Sequence, residues 1–216
     1  MLFLRFLVLF SLMGTILFGA AGRASIPAFW AYLASMAVAA VLMRLAVGAE
    51  LIRERLKPGP GGTDQAPRIA SIPVMVAHLT LAGLDVGRFH WSDTVPAAVQ
   101  AAGFVCMAAS LGIWVWAMHT NRFFSSVIRI QRERGHRVIT GGPYRFVRHP
   151  GYAASLPLYV ASGLALGSWV SIVPVLAMIG FMLRRAALED RVLLAELEGY
   201  REYAARVRFR LAPGLW

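Results

Sequence analysis

The sequence has 216 residues, of which 58% are hydrophobic and 15% are charged, and its mean hydropathy is +0.60. Soluble globular proteins carry about 25% charged residues, so this composition excludes a soluble domain and indicates a protein solvated by a lipid bilayer. The formal net charge is +11, and such a basic excess in a membrane protein typically sets orientation and contacts anionic headgroups. We therefore expect no nucleic-acid partner.

Apolar segments divide the chain into predicted transmembrane helices. Four occupy residues 2–21, 27–47, 69–84 and 96–118, and each approaches the about 20 residues that a helix needs to cross the hydrocarbon. The fifth segment, 152–183, is too long for one crossing, and Gly167-Ser168 near its middle predicts a helical hairpin. Residues 19–24 offer a possible signal-peptide cleavage site, but we favour a retained first span because its removal would break the charge alternation.

Basic residues alternate between the predicted loops. Residues 53–68, 122–148 and 184–210 are rich in arginine, whereas the other connections carry only Arg23 and Arg88. This bias predicts that both termini lie on the cytoplasmic side, and the arginine richness and short loops suggest a bacterial inner membrane. Residues 53–67 contain several Pro and Gly and predict an irregular loop.

Residues 183–207 alternate charged with apolar side chains, which predicts an amphipathic helix leaving the membrane on the cytoplasmic side. The predicted fold is therefore all-α, a polytopic integral membrane bundle of about five to six transmembrane helices that ends in a hairpin and this helix. We divide the chain into four N-terminal spans, 1–118, and a catalytic region, 119–216.

Several isolated residues receive a structural interpretation. Trp114, Trp116 and Trp169 fit an interfacial aromatic belt and are assigned no chemistry. Cys106, the single cysteine, is expected to be buried, and it leaves neither a disulfide nor a CxxC metal pair. His78 lies inside a span, where a helix-to-helix hydrogen bond explains it at least as well as a function.

The densest polar cluster lies at residues 136–152, between two spans. Gly141-Gly142-Pro143 predicts a turn, and Pro150 predicts the start of the next helix. His149 precedes this proline and is therefore kept out of the helical region, which directs its imidazole toward the interface. Arg145 and Arg148 lie beside it, and a positive-inside anchor is the alternative interpretation of these arginines.

Arg185 and Glu189 form a second cluster where the hairpin leaves the hydrocarbon. Their spacing of four places both on one helix face. One interpretation is a surface ion pair worth about 0.3–0.5 kcal/mol. The other is a divided function, in which Glu189 accepts hydrogen bonds from a ligand and Arg185 holds an anion.

These residues resemble a pattern of the isoprenylcysteine carboxyl methyltransferase family. The pattern comprises a histidine, a Gly-x-Tyr, an Arg-His-Pro-x-Tyr, an arginine with a glutamate four residues later, a tyrosine pair and a final Pro-Gly. In this sequence it falls on His136, Tyr144, Arg148 to Tyr152, Arg185, Glu189, Tyr200, Tyr203 and Pro213-Gly214. The usual Phe-Gly before the tyrosine pair is replaced by Leu197-Glu198-Gly199, and the first half of the chain matches little beyond Glu54-Arg55.

The resemblance implies methyl transfer from S-adenosylmethionine to a lipophilic acceptor that enters from the bilayer, with an isoprenylcysteine-like carboxylate as the first candidate. It implies catalytic roles for Arg185 and Glu189, with Arg185 also facing the substrate, and no metal. The cofactor pocket that it implies is lined by His136, Arg137, Val138, Ile139, Tyr144, His149, Pro150, Gly151, Tyr152 and Glu189.

Three alternatives remain open. A phospholipid amine or a thiol could be the methyl acceptor, although Arg185 favours an anionic one. Membrane sterol reductases that use NADPH also show an Arg-His-Pro-x-Tyr stretch. A non-enzymatic bundle for transport or scaffolding would need a polar pathway through the spans, whose charged residues and histidines are only Arg5, Arg44 and His78.

Overall fold

The computed structural model describes residues 2–214 and 216, and side chains from Phe6 onward, so that the side chain of Arg5 lies outside it. The described residues form eight α-helices and no strand. They are α1 (Leu2–Ala21), α2 (Pro27–Ala46), α3 (Ala49–Leu56), α4 (Ala66–Leu84), α5 (Ala97–Thr120), α6 (Pro150–Leu166), α7 (Ile172–Glu196) and α8 (Tyr200–Arg206). A π-turn, Asp85–Phe89, extends α4. The helical membrane bundle expected from the sequence is thereby confirmed.

Three helical stretches are long and apolar enough to cross a membrane: Pro27–Ala46, Ala66–Phe89 and Ala97–Thr120. Within α1, residues Phe6–Ala21 form a shorter apolar helical stretch. The fifth apolar segment is the hairpin α6–α7, whose turn lies at Gly167, where φ is +80°. A glycine adopts this left-handed conformation without steric cost, which accounts for the turn at this position.

Helices α5 and α6 pack closely along each other. A Cβ atom at Gly103 of α5 would lie 2.7 Å from the backbone nitrogen of Ala165 in α6. Because small residues let helix backbones approach closely where no water drives association, this contact stabilises the packing of α5 on α6 near the hairpin turn.

His78 joins three helices inside the bundle. Its Nδ1 lies 2.7 Å from the carbonyl oxygen of Ser171, and its Nε2 lies 2.6 Å from Oγ of Ser162, which also lies 3.2 Å from the hydroxyl of Tyr32. A carbonyl oxygen can only accept, so Nδ1 donates to it. The helix-to-helix hydrogen bond expected for His78 is confirmed.

A buried carboxylate connects the hairpin turn to the π-turn that extends α4. The buried Asp85 accepts a hydrogen bond from the backbone nitrogen of Ser92 at 2.8 Å and from Oγ of Ser168 at 2.5 Å. Since Ser168 follows the turn glycine, this carboxylate holds the hairpin at the end opposite to the arginine-rich loops.

Three expectations are corrected. Residues 183–207 do not form one helix. Helix α7 ends at Glu196, and α8 begins only after Gly199, where φ is +75°. The loop expected at 53–67 begins inside α3, whose Leu51 and Glu54 are buried. Cys106 is exposed on α5 rather than buried.

Candidate functional site

A cavity of about 300 Å³ lies at the end of the bundle where residues 48–68, 121–149 and 184–214 come together, hereafter the arginine-rich end. Backbone hydrogen bonds join these segments, for example between Thr63 and Ile128 at 3.0 and 3.2 Å. The lining of the cavity combines residues of α3, α4, α5, α6, α7 and α8 with the loop that precedes α6. The site therefore draws on both the N-terminal spans and the C-terminal region.

The structure brings nine of the ten predicted cofactor residues to this cavity, together with Arg185. The nine are His136, Arg137, Val138, Ile139, Tyr144, His149, Gly151, Tyr152 and Glu189. Pro150 is the exception and corrects the expectation, because it is buried in the first turn of α6. Its contribution is to start the helix there, since proline suits the first helical position.

A buried carboxylate, Asp190, fixes the segment that leads into α6. Arg148 donates to both of its oxygens, at 2.8 and 3.0 Å, and Nε2 of His149 lies 3.2 Å away. Tyr200 and Arg210 also donate to it, at 2.9 and 2.8 Å. Because it has these partners from three chain segments, Asp190 determines where His149 meets the cavity.

The same loop is also held by the backbone of the segment that follows α8. The backbone nitrogens of Arg148 and His149 donate to the carbonyls of Phe209 and Arg210, both at 2.9 Å. The Nη1 of Arg148 also donates to the carbonyls of Val207 and Arg208. Arg148 is thus occupied by structural contacts.

Arg185 and Glu189 are connected through a third residue. Nε of Arg185 donates to the hydroxyl of Tyr152 at 2.7 Å, and this hydroxyl donates to Oε2 of Glu189. Arg185 is 4% exposed, and its Nη1 also donates to the carbonyl oxygen of Asp64 at 2.8 Å. Arg185 and Glu189 therefore do not form the surface ion pair that was one interpretation of their spacing. The tyrosine hydroxyl bridges the two side chains inside the cavity.

Tyr144 lines the cavity and is held in place by two hydrogen bonds. The hydroxyl of Tyr144 accepts a hydrogen bond from Nδ2 of Asn121 at 3.1 Å, and its carbonyl accepts one from Tyr203 at 2.6 Å. Burial raises the pKa of Tyr144 well above its usual value, so this phenol stays neutral. Tyr144 therefore offers an uncharged, electron-rich ring with a fixed orientation.

His136 is neutral at physiological pH. Burial lowers its pKa to about 4, and its Nδ1 accepts a hydrogen bond from the backbone nitrogen of Gln131 at 3.2 Å. Its ring lies on Phe123, with centroids 4.5 Å apart. Since Nδ1 accepts, the proton of the neutral ring is on Nε2, which can donate to a ligand.

Helix α3 is fastened to the site by a buried ion pair. Arg129 donates to both oxygens of Glu54, at 3.0 and 3.2 Å, and also pairs with Glu133. Burial alone would raise the pKa of Glu54, but the hydrogen bonds from Arg129 and Ser125 outweigh it and lower the pKa. The pair fixes α3 beside the loop that carries the cavity residues.

Sequence reasoning missed four features of this site. Arg55 and Trp114 line the cavity, although Trp114 had been assigned to the aromatic belt and Arg55 to an irregular loop. Asp190 and Asp64 hold the site arginines from outside the predicted motif. The Glu54-Arg55 pair was the available signal for α3, whereas spacing gave no signal for either aspartate.

The described residues contain no group of three or more His, Cys, Asp and Glu side chains placed to hold a metal ion. Glu189 is the one carboxylate among the described residues that line the cavity, beside several arginines and aromatic rings. The lining is thus suited to a ligand that carries both a cationic and an anionic part.

Comparison with known proteins places the matched region around this cavity. The sequence profile of the isoprenylcysteine carboxyl methyltransferase (ICMT) family matches residues 101–195. A probable protein-S-isoprenylcysteine O-methyltransferase of Oryza sativa subsp. indica is 38% identical over 89 residues, which cover 40% of this chain and 46% of the relative. The protein-S-isoprenylcysteine O-methyltransferase of Schizosaccharomyces pombe is 27% identical over 110 residues, which cover 50% of this chain and 46% of the relative. The chain spans about half the length of the curated relatives that it matches.

Proposed function

We propose that this chain belongs to the isoprenylcysteine carboxyl methyltransferase family, whose profile matches residues 101–195. On this premise, it transfers a methyl group from S-adenosylmethionine to the carboxylate of a lipophilic, isoprenylcysteine-like acceptor. The observation that carries the proposal is the cavity itself, where the loop at 136–152 and the Arg185 and Glu189 side chains of α7 face one space. The names of the relatives agree with this assignment.

The residues present fit such a methyl donor. Glu189 can accept hydrogen bonds from hydroxyl or ammonium groups. The rings of Tyr144 and Tyr152 can stabilise a neighbouring cation by about 0.5–2 kcal/mol. When bound, S-adenosylmethionine supplies an activated methyl group for in-line displacement.

The residues of the chain contribute mainly by positioning the donor and the acceptor. An acceptor carboxylate is ionised at neutral pH, so the chain does not have to remove a proton from it. Tyr152 and Arg185 orient Glu189, and Asp190 fixes His149 at the wall of the cavity. Holding the two reactants in line and away from water is the main source of rate in such a site.

We place the arginine-rich end on the cytoplasmic side of the membrane, where a water-soluble donor would enter. The apolar tail of the acceptor would enter from the lipid. The positive-inside rule and the clustering of residues 48–68, 121–149 and 184–214 at one end of the bundle support this orientation.

The test is isothermal titration of S-adenosylhomocysteine into the purified protein, its Glu189→Ala variant and a Glu196→Ala control. Glu196 lies on the same helix, is exposed and pairs with an exposed arginine, Arg132. We expect wild type and the control to bind equally and Glu189→Ala to bind at least about tenfold more weakly, since it loses a charged hydrogen-bond acceptor. Unchanged binding in Glu189→Ala would place the donor elsewhere.

Transfer of a radiolabelled methyl group to a panel of acceptors identifies the substrate class. The panel comprises a farnesyl carboxylate, a phosphatidylethanolamine and a small thiol. Labelling of the farnesyl carboxylate alone supports carboxyl methylation. NADPH binding without S-adenosylhomocysteine binding would instead favour a reductase.

A further inference from the structure

Arg55 differs from the other arginines at the cavity in having almost no partner. Its guanidinium lies over the rings of Trp114 and Phe124, with Cζ 5.1 and 5.2 Å from their centroids. Its one hydrogen bond among the described residues is a long one, 3.5 Å from Nη1 to the carbonyl of Phe124. The two rings therefore hold a cation whose hydrogen-bond donors remain available.

The other two enclosed arginines are already occupied. Arg148 donates to both oxygens of Asp190 and to two backbone carbonyls. Arg185 donates to Tyr152 and to the carbonyl of Asp64, and its Nη1 lies 3.7 Å from Oδ2 of the same aspartate. Within the part of the chain that the structure describes, no carboxylate pairs with Arg55.

An enclosed cation without an anion is unfavourable unless a ligand supplies the anion. Burial lowers the pKa of Arg55 to about 10, with a further lowering from the nearby Arg185. The side chain nevertheless stays protonated at neutral pH, and its planar fork matches the geometry of a carboxylate.

Arg55 also lines a second cavity, of about 250 Å³, between α1, α2, α3 and α5. Apart from Arg55 and Arg44, its lining is apolar and includes Leu9, Met43 and Met118. Arg55 thus stands at a position that faces both the proposed methyl-transfer cavity and an apolar space suited to a hydrocarbon chain.

Resting on the proposed function, we infer that Arg55 binds the carboxylate of the acceptor, while the acceptor's apolar tail occupies the second cavity. The guanidinium donates to the carboxylate and keeps one oxygen directed at the methyl group. That oxygen forms a bond to the methyl carbon as the carbon–sulfur bond breaks, and the electron pair of the broken bond stays on sulfur. The products are a methyl ester and S-adenosylhomocysteine, and no proton is released.

The experiment measures binding of farnesylthioacetic acid and of its neutral carboxamide to the protein in one detergent, without any methyl donor. The variants are Arg55→Met, Arg55→Lys and Arg53→Ala. Methionine keeps an apolar stem of similar length, and lysine keeps the charge without the fork. Arg53 is the matched control because it lies on the same helix and is exposed.

We expect wild type and Arg53→Ala to prefer the carboxylate by about 10- to 100-fold, the range typical of hydrogen bonds to charged groups. Arg55→Met should abolish this preference, and Arg55→Lys should retain part of it. Arg55→Met should bind the neutral carboxamide within about twofold of wild type, because methionine preserves the apolar stem and the carboxamide carries no charge for the guanidinium to pair with. This second readout shows that the variant is folded.

Two results would overturn the inference. Arg55→Met could keep the preference for the carboxylate, in which case another group binds it. It could also lose affinity for the carboxamide, in which case Arg55 serves the fold and not the carboxylate. Because the preference is measured without a methyl donor, a wild-type protein that fails to bind S-adenosylhomocysteine refutes the proposed function while leaving this comparison intact.

Discussion

Asp190→Asn tests whether one buried carboxylate holds the arginine-rich end together. Asp190 is fully buried and accepts hydrogen bonds from Arg148, Tyr200 and Arg210, with Nε2 of His149 at 3.2 Å. Asparagine keeps the shape but removes the charge, and it replaces one acceptor oxygen by an amide that donates. At least one of the arginine contacts is then donor against donor.

The expected cost follows from the burial of the partners. Arg148 is 9% exposed, so it would keep a nearly buried positive charge with only the carbonyls of Val207 and Arg208 as full partners. Breaking a buried ion pair by removing one member costs about 3–5 kcal/mol. For a chain of this length, 1 kcal/mol corresponds to about 2–4 °C in Tm, so the variant should melt about 6–20 °C lower.

The assay is thermal unfolding in one detergent of wild type, Asp190→Asn and Asp93→Asn. Asp93 is the control because its side chain is 72% exposed and pairs with an exposed residue, His90. An Asp190→Asn protein that melts within about 2 °C of wild type would refute the reasoning, since it would mean that the arginines find other partners at little cost.

Two further predictions concern the cavity. Tyr152→Phe keeps the aromatic ring but removes the hydroxyl between Arg185 and Glu189. Titration should therefore show that S-adenosylhomocysteine binds about tenfold more weakly. An unchanged affinity would mean that Glu189 does not need the tyrosine hydroxyl to orient it. His136 has a native pKa of about 4 because of burial, against about 6.5 when unfolded. The unfolded state therefore binds more protons between these values, so stability is complete above about pH 6.5 and falls toward pH 4. His136→Gln should flatten the dependence of Tm on pH between 7 and 4.5, and an unaltered slope would contradict the assignment.

Hydrophobicity predicted the helices well because each span is a continuous apolar segment. The first helix, Leu2–Ala21, and the hairpin turn at Gly167 fall where the sequence placed them. The break at Gly199 was missed because the alternation of charged and apolar residues continues across it. Periodicity reports which face of a helix is apolar, but a single glycine can end the helix without altering that pattern.

The candidate site was predictable where its residues are close in sequence. The loop at 136–152 was found because histidine, glycine and proline are concentrated there. Asp190 was not found, because its partner Arg148 lies 42 residues away and only the folded chain joins them. Arg55 was missed for the same reason, since its position over Trp114 and Phe124 depends on how α3 packs on α5.

The hydrogen bonds of His78 bear on the order in which the protein is built. Helices in a bilayer gain little from burying apolar surface against one another, so directional polar contacts specify how they are matched. His78 of α4 contacts Ser162 of α6 and the carbonyl of Ser171, just before α7. Because α4 precedes the hairpin in the chain, it is synthesised first, and its His78 can then serve as the contact to which α6 and α7 align.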